Sequence, residues 1–181
     1  FQKMRDGGKV ALQTPLIFTA LCIVALNSFF VRGVLEIQPA IIGQILGGDS
    51  QALAIATAAA GVGSLLASGW IGLGKLAPDF IQRCLWPMLA VGLIGTAGLN
   101  FTSGIAAMSF VFVLTGFTAT VTGIGAQTLI QLEVDESYRA RVMTWWSSVS
   151  FGSLTLGGIL IGFFGDFMPI GDAIFMVMIP G

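Results

Sequence analysis

The chain has 181 residues, 55% hydrophobic and 9% charged, with 25 glycines, no histidine and a formal net charge of −1. A water-soluble domain is about a quarter charged, so this composition excludes a conventional soluble globule, and the near-neutral balance gives nucleic acid no electrostatic handle. Without histidine, and with Cys22 and Cys84 each in or beside an apolar run and far from any partner ligand, no enzymatic activity, metal site or other cofactor is expected, and both thiols read as buried and free.

The opening FQKMRDGGK is polar and basic, and lacks the apolar core that a signal peptide places straight after its charges. Residues 1–14 therefore read as a loop, and 15–181 as a bundle of membrane-spanning helices. The first apolar run covers residues 15–37, is interrupted by Asn27, Arg32 and Glu36, and could continue through Pro39 to Leu46. Further runs cover 52–73, 85–101, 105–132 and 142–164, each long enough to span as a helix with some tilt. A sixth begins near Ala173, and the chain is expected to stop partway through it. The runs are continuously apolar rather than alternating, which disfavours a β-barrel and predicts an all-α fold of five full spans and a truncated sixth.

Basic residues set the expected orientation, because cytoplasmic loops near helix ends hold the excess of Lys and Arg. Lys3, Arg5 and Lys9 precede span one, Lys75 and Arg83 lie between spans two and three, and Arg139 and Arg141 lie between spans four and five. These segments share the predicted cytoplasmic side. The connections around Asp49, Asn100 and Asp166 hold no Lys or Arg and face the other way, and only Arg32 breaks the pattern. Trp70, Trp86, Trp145, Trp146 and Tyr138 fall near the ends assigned inside, as amphipathic rings at headgroup level should.

Helix packing in lipid relies on close backbone approach through small residues. Gly61, Ser64 and Ser68 in span two, Gly92, Gly95 and Gly98 in span three, and the GxxxG pair Gly158 and Gly162 in span five are the expected contact faces. Arg32 and Glu36 lie one helical turn apart in span one, where a lone charge costs at least about 2.5–3.5 kcal/mol. They could pair with each other. With a helix starting at Pro15, Arg32 lies roughly 26 Å along it, near the outer boundary, where its head could snorkel. Alternatively the pair lines a cavity in which Glu36 exchanges a proton or Arg32 holds an anionic group. Thr115, Thr118, Thr122 and Gln127 follow a spacing close to one face of span four, and Asn27 could meet them across a cavity; interhelical hydrogen bonding explains these residues equally well. Asp79 and Arg83 in one loop, and Asp135, Arg139 and Arg141 in the next, suit either solvated helix ends or a cytoplasmic gate that breaks and reforms.

The loop DESYRARVM followed by a Gly-rich span resembles the stretch between helices ten and eleven of the major facilitator superfamily, especially its bacterial drug- and siderophore-exporter branch, where an acidic residue followed by Arg-Gly-Arg-Val is usual. Ala140 replaces the glycine. The stretch from Gly74 to Arg83 resembles the loop motif that the superfamily places between helices eight and nine, with Asp79 one position late because of Pro78 and Phe80 where an arginine is expected. The resemblance implies helices seven to twelve of a two-half transporter in a bacterial inner membrane. Its expected partners are the lipid bilayer, a preceding six-helix half and a small amphipathic substrate exported by proton-driven alternating access. An uptake permease of the same fold and a non-transporting membrane scaffold are the alternatives.

Overall fold

The structure is a computed structural model, and it describes residue 8 and residues 11–48, 50–74 and 77–178. Lys3, Arg5, Lys9, Asp49 and Lys75 lie outside the described residues. Helix α1, Pro15–Leu26, runs without a break into a six-residue π-helical segment, Asn27–Arg32, and then into α2, Gly33–Glu36. Ile37 forms a turn, and α3, Gln38–Leu46, follows with Pro39 in its first turn. The remaining elements are α4, Ser50–Gly74; α5, Pro78–Gly98, extended by a 3-10 turn at Leu99–Phe101; α6, Ile105–Glu133; α7, Glu136–Gly165; and α8, Ile170–Met178. Among the described residues there are no strands, and five helical spans are long and apolar enough to cross a membrane. In hydrocarbon a backbone must satisfy its own N–H and C=O groups, and a helix does so within one segment. The protein is an all-helical, multi-pass membrane protein.

Helix starts lie earlier than the apolar runs suggest. Span three begins at Pro78, whose missing N–H costs nothing in a first turn, with Asp79 beside it at the positive end of the helix dipole. Span five begins at Glu136: Asp135 has extended backbone, and its carbonyl accepts from the amides of Tyr138 and Arg139 at 2.9 and 3.0 Å. Residues 11–13, read from sequence as loop, are helical, and Ala11 is buried.

Close approaches hold the bundle together. A Cβ on Gly63 would overlap the carbonyl of Val113, and one on Gly116 would overlap that of Ala60, so α4 and α6 meet backbone to backbone. Gly92 leaves room for the Thr118 hydroxyl and Val31, and Gly95 for Leu114, which seats α5 on α6. A Cβ on Gly157 would strike the carbonyl of Phe29, and Gly33 abuts Gly157 and Gly158, so α7 packs on the π-helical segment and α2. The expected contact glycines are thus corrected in part. Gly61, Gly98 and Gly162 face open space, and the tight positions Gly63, Gly116 and Gly157 are their neighbours or partners.

Leu16, Asp79 and Leu129 line one cavity, which puts the starts of α1 and α5 and the last turns of α6 at the same end of the bundle. The apolar core is split in two. One cluster, including Ile17, Leu21, Ile81, Leu85, Leu129 and Val142, fills that end; another, including Val34, Ile41, Met108, Phe112, Ile161 and Ile174, fills the opposite end. Between them lie the buried polar residues Asn27, Ser28, Thr115, Thr118, Thr122 and Ser150. Large apolar side chains such as Leu65, Ile94, Phe110 and Ile159 point outward, as lipid-facing surfaces require.

Candidate functional site

The polar layer is organised by the π-helical segment. Such a segment widens one turn of a helix and is frequent at functional sites. Here it faces Ser28 and Arg32 toward α7: the Ser28 and Ser150 hydroxyls are 3.2 Å apart, and Arg32 Nη1 donates to Ser150 Oγ at 3.4 Å. Asn27, almost wholly buried, donates through Nδ2 to the Ala119 carbonyl at 3.4 Å, while its Oδ1 is buried with no partner. Leaving such a group unsatisfied costs about 1–3 kcal/mol.

The depth of this cluster follows from its partners. Ser150 lies at the midpoint of the 30-residue α7 and Ala119 at the midpoint of the 29-residue α6. At 1.5 Å per residue each is about 21 Å from either end of its helix. The guanidinium of Arg32 therefore lies level with the middle of α7, far from either of its ends. Two features account for the difference from the position expected from sequence: helical side chains point back toward the N-terminus, and the helical path continues past Glu36 into α3, which makes Arg32 central in it.

Arg32, Gln127 and Trp146 meet at a cavity of about 310 Å³, whose remaining walls come from Leu35 of α2, Ser64 of α4 and Ala119, Thr120, Gly123 and Ile124 of α6. Four of the five spans thus contribute, and Arg32 is the one ionisable residue among the described residues that line it. Glu36 is exposed and does not line it, and among the described residues no ion pair joins Glu36 to Arg32. The threonine face also separates from Gln127. Thr115, Thr118 and Thr122 return their hydroxyl protons to carbonyls one turn back in α6, at 2.8, 2.9 and 2.7 Å, and Thr115 and Thr118 pack toward α5. Gln127 lies about 120–180° around the helix from them at roughly 100° per residue, on the cavity side.

Trp146, read from sequence as an interfacial ring, lies 10 residues into α7, and its Nε1–H is buried without an acceptor. Ser28 and Ser150 were also missed, and Ser64 was read only as a packing residue. A usable signal existed for two positions, since Ser28 is one turn before Arg32 and Trp146 one turn before Ser150, which puts each pair on one helix face.

The gate candidates occupy the end of the bundle where α1 and α5 start. Asp79 and Arg83, both exposed, line a cavity of about 380 Å³ with Leu16, Thr19 and Trp86. Asp135 and Arg139 are exposed at the start of α7, and the Arg141 guanidinium stands 5.4 Å from the Tyr138 ring centroid, a cation–π contact. The described residues contain no ion pair between the two loops. Cys22 and Cys84 are free and half-buried. No family model, curated protein or solved structure matches the chain.

Proposed function

We propose that this protein is a secondary active transporter whose solute passes through the mid-membrane cavity. The observation that carries the reading is Arg32: a guanidinium level with the middle of the α7 span, paired with a serine hydroxyl and no carboxylate among the described residues, lining a cavity built by four spans. Ionisable groups inside a membrane are costly, and where they persist they mark solute or ion paths. A scaffold gains nothing from this cost, since the glycine contacts and the two apolar clusters already hold the helices together. Proton coupling and export of a small amphipathic compound come from the resemblance to the major facilitator superfamily, with uptake by the same fold as the second direction.

The test fills the cavity. Gly123 lines it, and a Cβ there meets nothing within 4 Å, so Gly123→Phe projects a ring into the space without striking backbone. Gly152 offers equal room on the side of α7 turned about 200° from Ser150, so Gly152→Phe is the control. In inside-out vesicles with an acid lumen, cationic, neutral and anionic amphipaths are added in turn and dissipation of the pH gradient is followed. Wild type and Gly152→Phe should respond to at least one compound and Gly123→Phe to none. No response in wild type, or an equal response in Gly123→Phe, rejects the reading.

A further inference from the structure

We infer that the cavity recognises an amphipathic solute bearing a single negative charge, held at a carboxylate-like group by Arg32. The inference rests on the reading of this cavity as the solute site and names the chemistry of its occupant.

Three observations converge. Among the described residues Arg32 is the one ionisable group on the cavity wall, so one negative charge is neutralised there and a second would stay uncompensated in a low dielectric. The polar groups nearest to it are rich in donors. Arg32 carries five N–H donors in a planar fork and reaches Ser150 through Nη1. Gln127 supplies a further amide N–H₂. A planar oxyanion with several lone pairs fits a guanidinium fork beside a second donor, and charge-assisted bonds of this kind are the strong ones. The third observation is the apolar surface that Leu35, Ala119 and Ile124 add to the cavity beside these polar groups. A cavity of about 310 Å³ is at the small end of ligand sites and suits one or two fused rings.

The Ser28–Ser150–Arg32 chain explains how the site is kept ready. Ser150 accepts from Arg32 and lies within hydrogen-bond distance of Ser28, so the guanidinium is held at the cavity by hydroxyls, which compete with an incoming anion far less than a carboxylate would.

The experiment measures equilibrium binding of four probes to the full chain in detergent: 2-naphthoate, 2-naphthalenemethanol, 2-naphthylmethylammonium and 2-naphthyl phosphate. Naphthoate should bind about tenfold more tightly than the neutral alcohol, the scale of one hydrogen bond to a charged group, and the ammonium should bind more weakly than either. Arg32→Gln should bring naphthoate to the level of the alcohol and leave the alcohol unchanged, whereas Arg32→Lys should keep part of the preference. The dianionic phosphate should bind no better than naphthoate.

Equal affinity for naphthoate and alcohol in wild type overturns the inference, as does a naphthoate preference that survives Arg32→Gln. A phosphate ester favoured over the carboxylate also overturns the single-charge assignment. Failure here is separable from failure of the transport reading. Flux of cationic probes without anion preference rejects the anion site alone, and naphthoate binding without flux of any compound rejects transport alone.

Discussion

At the scale of single residues, glycine context matters more than glycine spacing. Gly158 and Gly162 have the GxxxG spacing that marks many helix contacts, yet a Cβ at Gly162 meets nothing and one at Gly158 only grazes the Gly33 carbonyl at 4.0 Å. Gly157, outside that spacing, is the position where a Cβ would run into the Phe29 carbonyl. Gly157→Ala should therefore lower stability in detergent by about 1–3 kcal/mol, the cost of overpacking a fixed contact, seen as an earlier unfolding midpoint. Gly162→Ala should unfold no earlier than wild type, because alanine gains up to about 1 kcal/mol over glycine in a helix interior. Matching losses in the two variants would reject this assignment of the contact. The site was only partly legible from sequence for a related reason. Arg32 stood out because charge is rare in apolar runs, and Asn27 and Gln127 for their polarity. The serines and Trp146 did not, because hydroxyls and indoles are ordinary in membrane helices and only the facing helix shows that Ser150 supports a guanidinium.

At the scale of elements, helix existence was readable and helix shape was not. Hydropathy marks the stretch inside hydrocarbon, so it found every span but placed the starts of α5 and α7 late, where Asp79, Arg83 and Arg139 lie in helical turns. The π-helical segment had no such signature. NSFFVR contains no proline or glycine, and its wide turn comes from packing Phe29 and Gly33 against Gly157 while Asn27 is tied to Ala119. Both flanks of the segment are thereby fixed, so a deletion within it tightens the turn instead of shifting the helix. Removing Phe29, which is half-buried while Phe30 and Val31 are buried, should yield a protein that still unfolds cooperatively in detergent but no longer dissipates a pH gradient with compounds that wild type moves. Undiminished flux would mean that the wide turn has no part in function.

At the scale of the whole molecule, the same ends of the helices gather the charged side chains Asp79, Arg83, Asp135 and Arg139, and the two apolar clusters are stacked along the bundle with the polar layer between them. The alternation of helix ends fixes which connections share a side. With Cys22 and Cys84 replaced by alanine, cysteines introduced at the exposed positions Gln82 and Ser137 should react with a membrane-impermeant maleimide from one face of sealed vesicles, and a cysteine at exposed Ser103 from the other. Labelling of Gln82→Cys and Ser137→Cys from opposite faces would contradict the topology. The mid-depth position of the Arg32 guanidinium also has an electrical consequence. A charge fixed halfway through the insulating layer sits about halfway down the transmembrane voltage, worth roughly 1 kcal/mol per 100 mV. On the proposed reading, a monoanion on Arg32 makes the site neutral and insensitive to that voltage, whereas the solute-free site keeps a positive charge on which the voltage acts.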